Sequence, residues 1–552
     1  MGYVIDAFPG RGSIKVILDS FRSVNVKTTF PIYVKIENPS VLYDHPNVVS
    51  VSEEDWRSFE GKIKLYRVEV DDVSALDYFK KKLTLYNTIP SPLSQAMIRL
   101  NLLPFRLVDI SWNGIQLISS HLDFPQIKFV ELRRYDWFGY SESGKYYRVF
   151  VNGKPSYDGE GIPRVDGDVV YCEGPCIVSA SVFIDRASRP PISLKELIER
   201  SLASKALLRE IAYSSVGKAL TINEAWVALS RKFAVPSIKI NVENLKSLKK
   251  LREADRAGLT LFPRAGLYNE AYQLDFVSMY PSIIVNYNIS PELLDCGRSN
   301  CPLGIVPEAL NDLLERREIL KNIDKERADA IKLMLVASFG YLGYRNSKFG
   351  RVETYEAVTN TARKALTKVI MTARDLGLTV LHGIVDSIVV QGPRDVIERL
   401  MDEISMDTGL QLRIDAEFDW VAFTPNLSME PHPQRYFGRV KGGKIKSKGV
   451  IKRNQPNLVK WFLEDLLNEA SKGARAEDAK RIVADELPAL TERYVKICFS
   501  DYPLAYVMTI RGVPFIRGTW GFYKAYEYRG HDPYYYENYV KRVSDEVRRW
   551  FL

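Results

Sequence analysis

Two aspartates stand where a carboxylate is costly. Asp275 closes the apolar run AYQLDF, and Asp386 lies in HGIVDSIVV. Burying an unpaired carboxylate in such surroundings is unfavourable enough that something cationic should meet each one. Carboxylates on two neighbouring strands commonly hold two divalent ions about 3.5 to 4 Å apart, an arrangement that serves displacement at phosphorus. A pair of solvated strand-end carboxylates is the second reading, and spacing alone does not separate the two. Groups able to meet phosphates are also present. Arg317 and Lys332 lie in helical sequence, and between Arg435 and Arg453 eight Lys or Arg occur with no Asp or Glu, broken by Gly442, Gly443 and Gly449. A solvated basic loop and ordinary helix-surface charge account for these equally well when each is taken alone.

The elements that must position these groups can be read from periodicity. AYQLDFVSMYPSIIVNY predicts a strand that ends at a carboxylate and turns at Pro281 into a second apolar segment. LTVLHGIVDSIVVQG predicts two strands around a tight turn at His382-Gly383, with Asp386 just inside the second. Between them, DLLERREILKNIDKERADAIKLMLVASFGYLGY predicts two charged helices joined near Asn322 to Lys325, a hairpin standing off the core. Residues 1 to about 100 mix β-like segments with a helix from Ser74, and strand-like runs from 104 to 185 give way to helices beyond an Arg189-Pro190-Pro191 break. Beyond about 440 the chain is basic, then helical.

At 552 residues the chain is too long for one core and should hold two to four domains. Its net charge of +9 arises from 77 basic and 68 acidic residues, so charge alone favours an anionic partner only weakly. No stretch has the order of a secretory signal and no apolar run could span a bilayer, so an intracellular protein without a membrane partner is expected. The five cysteines include two close pairs, Cys172 with Cys176 and Cys296 with Cys301. A four-thiolate zinc site is the lesser reading, since neither pair has the usual C-x-x-C spacing and over a hundred residues separate them. A local disulfide at Cys296 and Cys301 is the better expectation and would hint at a hyperthermophilic host.

The segment DFVSMYPSII, from Asp275 to Ile284, resembles the first palm motif of family B DNA polymerases, and HGIVDS, from His382 to Ser387, resembles their third. The helix carrying Lys332, continued by SFGYLGY, is similar to the finger motif between them, and RYFGRV at 435 to 440 to the primer-gripping segment. The resemblance covers most of the chain and is strongest from 264 to 455. It implies an α/β multidomain fold in the form of a right hand: an N-terminal domain over 1–103, an RNase H-like exonuclease remnant over 104–192, a helical connector and first part of the palm over 193–310, short fingers over 311–345, palm over 346–440 and thumb over 441–552. It also implies roles. Asp275, Asp386 and the backbone carbonyl of Phe276 would hold two Mg²⁺ ions, and Lys332 would join the two aspartates in catalysis. Phe276, Ser278, Met279, Tyr280, Arg317 and Lys332 would bind the incoming dNTP, with Tyr280 excluding a 2′-hydroxyl. Arg435, Tyr436, Lys448, Lys452 and Arg453 would bind primer-template DNA. A cytoplasmic, nucleoid-associated enzyme with replication or repair proteins as further partners is the corresponding expectation.

Departures from the family pattern matter as much. The D-T-D of the third motif is I-V-D here, leaving Asp386 without a second acid at Ile384. Val336 and Ala337 replace a polar pair in the finger motif, Phe339 a tyrosine, and Gln434 the lysine of the primer grip. Where the family's exonuclease has D-x-E, the segment LVDISWNG keeps Asp109 but has Ser111. A two-metal nuclease does not assemble from one carboxylate, so the resemblance implies DNA-directed synthesis without proofreading, of low fidelity, in repair or translesion synthesis. Such losses are similar to those of the minor second family B paralogues of archaea. The competing expectation is a catalytically inactive polymerase-like DNA-binding or assembly factor.

Overall fold

The structure, a computed structural model, describes residues 1–111, 114–136, 139–140, 144–185, 192–238, 246–249, 257–294, 296, 301–425 and 430–551. The chain divides into two compact units. One comprises Met1–Asp136, Tyr140–Leu251 and Tyr280–Val358; the other Trp137–Gly139, Arg252–Met279 and Thr359–Leu552.

Three sheets and a set of helices build the first unit. A five-stranded sheet runs in the order Ser23–Lys27, Ser13–Leu18, Gly2–Gly10, Leu107–Ser111, Gly114–Leu117. A four-stranded sheet runs Val48–Ser58, Gly61–Val70, Phe30–Lys35, Thr84–Tyr86. Strand Ser13–Leu18 turns alternate side chains inward, as the sequence SIKVIL already does, and Val16, Phe30 and Val68 of the strands pack with Phe79 of the helix Ala75–Lys82 into a common core. A third, mixed sheet has the order Lys154–Glu160, Tyr146–Val151, Phe129–Asp136, Arg164–Cys172, Ile177–Asp185, its last three strands parallel.

The predicted helical hairpin is present as Ile305–Ile323 and Lys325–Gly343. Asp324 joins the two and caps the second by accepting from the backbone N–H groups of Glu326 and Arg327. At 19 residues each, the helices are about 28 Å long. Helix Val216–Ser230 packs against the second of them where Gly217 faces Tyr341; a Cβ at that glycine would fall 1.7 Å from the tyrosine ring. Only glycine admits that approach.

The second unit is organised by a seven-stranded antiparallel sheet in the order Thr260–Leu261, Thr379–Ile384, Ser387–Gln391, Gly266–Phe276, Leu412–Pro425, Pro431–Val440, Ile445–Lys448. Helices Asn457–Ala470, Ala476–Ile497 and Pro533–Trp550 follow, with a small sheet over Met508–Lys524. Trp420 and Phe437 of the large sheet share one apolar core with Phe462, Tyr506 and Trp550.

Several boundaries differ from expectation. Leu107–Ser111, expected to open an exonuclease-like domain at 104, instead pairs with the N-terminal strand Gly2–Gly10, and Gly114–Leu117 pairs in turn with Leu107–Ser111. Asp109 therefore lies outside the mixed sheet, and the Met1 amino group reaches it at 3.3 Å. Strand Ile445–Lys448, expected to begin the thumb, closes the edge of the large sheet. The first hairpin helix starts at Ile305, six residues before the boundary expected for the fingers. Cys296 and Cys301 form a disulfide as expected, and so do Cys172 and Cys176.

Candidate active site

The strand Gly266–Phe276 ends at the site, and its register puts Asp275 opposite Ser387 on one side and Arg413 on the other. The predicted turn at His382-Gly383 is not formed. Both residues are buried within strand Thr379–Ile384, and because Ile384 pairs with Ser387 the two-residue loop is Val385-Asp386. Val385 takes φ +54° there, an uncommon conformation for a β-branched residue. The shift moves Asp386 out of the second strand and onto the solvent-facing tip of the hairpin. Its position beside Asp275 is fixed by the backbone, since the Phe276 N–H donates to the Asp386 carbonyl at 2.9 Å.

Asp275 is half-buried, and its carboxylate accepts from Gln273 Nε2 at 3.2 Å. Among the described residues neither Asp275 nor Asp386 has an ion pair. Burial pushes the Asp275 carboxyl up to about 6, with nearby Asp415 and then Asp386 adding to the rise. Desolvation by the surrounding protein lifts Asp386 as well, against the opposing charge of Lys448. A carboxylate raised by burial and by its own kind is one that gains from a cation.

The third acid of the cluster, Asp415, was left in the sequence as a choice between a compensating residue and surface charge. It arrives by a bulge: Gln273 pairs with Ala416 and Leu274 with Ile414, so Asp415 is the extra residue. Burial opposes its ionisation, but the Lys446 ammonium, which donates to Asp415 Oδ2, and Arg413 at 3.7 Å hold its pKa below the usual range. Glu417, its sequence companion, is spent on Lys441 and Arg394. Among the described residues no three carboxylate, histidine or cysteine side chains stand together at metal-ligand spacing. Of these acids, Asp275 and Asp386 are the two without an ion pair among the described residues, and they are the pair that the sequence offers, with the Phe276 carbonyl, as candidate donors to a divalent ion.

The nucleotide-binding candidates fall in both units and are described within each. In the second unit Ser278, at φ +48°, forms the turn after the strand; the helix Met279–Asn286 starts directly after it, so Pro281 sits in a first helical turn rather than at the bend. The Met279 side chain is 3% exposed and packs into the interior, which corrects the expectation that it meets a nucleotide. In the first unit Lys332 and Val336 are exposed on helix Lys325–Gly343 and Arg317 is half-buried on the preceding helix. The Tyr280 ring stacks on Phe339 at 4.1 Å between centroids, and Phe339 stacks on Tyr355 at 4.4 Å.

The DNA-binding candidates divide. Lys448, Lys452 and Arg453 are exposed. Tyr436 is 3% exposed and donates its hydroxyl to Gln273 Oε1 at 3.0 Å, two residues from Asp275. Arg435 pairs with Glu546 and lies over the Trp550 ring at 4.8 Å. The expected direct grip of these two on a primer is thus corrected: one braces the strand bearing Asp275 and the other ties sheet to C-terminal helix. Their partners lie over a hundred residues away, which no local pattern announces.

A family model described as DNA polymerase family B matches residues 227–303. The chain is 42% identical over 559 residues to "DNA polymerase 2" of Saccharolobus solfataricus, covering 99% of this chain and 87% of that protein. It is 30% identical over 218 residues to "DNA polymerase 2" of Aeropyrum pernix, covering 34% of this chain and 26% of that one. The solved structure of the family B DNA polymerase from Pyrobaculum calidifontis superposes with a TM-score of 0.66 at 16% identity over 99% of both chains, a likeness of fold. No helix among the described residues is long and apolar enough to cross a membrane.

Proposed function

This chain belongs to the family B DNA polymerases, and from that premise we propose that it is an active DNA-directed polymerase without proofreading, with Asp275 and Asp386 at its centre. The observation that carries the reading is the pair of carboxylates at adjoining strand ends, tied by the Phe276–Asp386 backbone bond and left without a cationic partner among the described residues. Asp275, Asp386 and the Phe276 carbonyl would hold Mg²⁺, which when bound supplies charge neutralisation and an activated primer hydroxyl. Gln273 orients Asp275, and Tyr436 orients Gln273. Tyr280, fixed by its stack on Phe339, presents a rigid ring to the sugar of a dNTP. Arg317 and Lys332 bring positive charge to the triphosphate, where preorganised charge contributes most. Ser278 lines the same turn, and Lys448, Lys452 and Arg453 meet DNA phosphates.

Two features support the absence of proofreading. Asp109 and Ser111 lie on the strand Leu107–Ser111, between Gly2–Gly10 and Gly114–Leu117 of the N-terminal sheet and outside the mixed sheet. The buried acids of that mixed sheet, Glu131 and Glu173, are already met by Arg133 at 2.8 and 3.9 Å. Low fidelity, and work in repair or lesion bypass in the cytoplasm beside other replication or repair proteins, follows from Val336, an exposed apolar side chain where the family places a polar one. A second reading, an inactive DNA-binding factor, rests on Lys446 neutralising Asp415 while Ile384 supplies no acid. Extension of a labelled primer with Mg²⁺ and dNTPs separates them. Synthesis lost in Asp386→Ala supports the enzyme; DNA binding without synthesis supports the factor.

A further inference from the structure

Three aromatic rings of the first unit form one stack. Tyr280, the second residue of the helix Met279–Asn286, lies on Phe339 with ring centroids 4.1 Å apart and planes 24° apart. Phe339 lies in turn on Tyr355, at 4.4 Å and 19°. All three are half-buried. A phenylalanine side chain has no polar atom, so no hydrogen bond fixes the Phe339 ring and packing alone decides where it stands. Tyr355 is itself closely held. It lies in the first turn of the helix Val352–Asp375, its N–H donating to the Arg351 carbonyl at 3.2 Å. Its ring rests against Gly343, the last residue of the helix that carries Phe339, where a Cβ would fall 2.9 Å from Cδ2 and 3.1 Å from Cγ. A residue with a side chain there would have to displace the ring.

We infer that Tyr355 is a positioning residue for the choice between deoxyribose and ribose: through Phe339 it fixes the ring of Tyr280, the wall against a 2′-hydroxyl. A wall rejects one extra oxygen atom only if it does not yield, and a side chain holds such a position when its neighbours lock it by packing. Phe339 supplies the contact to Tyr280, and Tyr355, seated on Gly343, supplies what Phe339 leans on. Tyr355 thus acts through another side chain rather than on the sugar. The inference rests on the polymerase reading and on Tyr280 as its sugar gate.

The test is primer extension by the full chain with Mg²⁺, measuring kcat/KM for a dNTP and for the matching ribonucleotide on the same template. Tyr355→Ala should lower the ratio of the two about threefold to tenfold, the worth of one stacked ring pair. Tyr355→Phe keeps the ring and should keep the wild-type ratio. Gly343→Ala places a better helix former beside the same ring; by displacing Tyr355 without removing it, this change should lower the ratio by a smaller factor. Damage to the fold at large would slow both nucleotides together and leave their ratio in place. In a Tyr280→Ala background the wall is already gone, and Tyr355→Ala should alter the ratio no further. An unchanged ratio in either Tyr355→Ala or Gly343→Ala, a loss in Tyr355→Phe equal to that in Tyr355→Ala, or a further loss in the Tyr280→Ala background would overturn the assignment. A wild type that extends no primer would instead remove the polymerase reading, and this assignment with it.

Discussion

Asp275 and Asp386 of the large antiparallel sheet and its hairpin turn, and Glu131 and Glu173 on and just beyond neighbouring strands of the mixed sheet, are two pairs of acids brought together by strand pairing. They have been treated differently by the chain around them. Glu131 receives Arg133 and the backbone N–H of Leu194, so it also caps a helix; Glu173 receives the same arginine and the Tyr171 hydroxyl. Asp275 accepts from the neutral Gln273 and shares a hydrogen bond with the acid Asp415, with no ion pair among the described residues, and burial leaves its carboxyl near 6. The mixed sheet thus carries its counter-charge within the fold, whereas the large sheet keeps acids whose charge is best met from outside. Two carboxylates alone do not make a metal site; what the protein places beside them decides.

The comparison can be broken at either end. The largest effect is expected at the open pair. Asp275→Asn or Asp386→Asn should lower the rate of primer extension by more than about 100-fold, the upper range for a partner one shell further out, as single-turnover kinetics would show. Next is the closed pair. Arg133→Met strands Glu131 and Glu173, and should cost about 3 kcal/mol in denaturant unfolding with no excision of a mismatched primer end gained or lost. An unaltered unfolding midpoint would mean that the arginine is not their counter-charge.

A third carboxylate sharpens the rule. Glu224 is buried without a hydrogen bond at Oε2, and burial pushes its pKa up to about 8, with Glu292 adding to the rise. It resolves its charge by keeping a proton. Because the folded value lies above the unfolded one, its contribution to stability is complete below about pH 4.5 and is lost as pH rises toward 8. Glu224→Gln should therefore raise the melting temperature at pH 8 by several degrees more than at pH 5. The smallest effect concerns Asp415. Lys446→Met frees that acid to join the site, and Mn²⁺ binding should tighten several-fold, up to about tenfold, since ligand charge tunes cation affinity; weaker binding would show that Lys446 supports the site rather than competing in it.

Much of this site was legible because its signals are local. Asp275 and Asp386 stand out as acids in apolar strand sequence, and the finger hairpin is announced by two charged helical periods around Asp324. The hairpin turn was misplaced because Gly383 carries the usual turn signature, while the residue actually taking positive φ is Val385, a type that seldom does. Asp415 was ambiguous because a bulge re-aims one residue without marking the sequence. Tyr436 and Arg435 looked like a DNA grip because what buries them, Gln273 for one and Glu546 with Trp550 for the other, is remote in the chain. The Asp109 segment went to the wrong sheet for a similar reason: its strand pairs with residues more than a hundred positions away.

The central claim is that the open pair, and not the closed one, takes divalent metal. Mn²⁺ titration followed by electron paramagnetic resonance, on the wild type, Asp275→Asn/Asp386→Asn and Glu131→Gln, tests it directly. The account predicts binding in the wild type and in Glu131→Gln and its loss in the aspartate double variant. Undiminished binding in that double variant, or loss in Glu131→Gln, would contradict it.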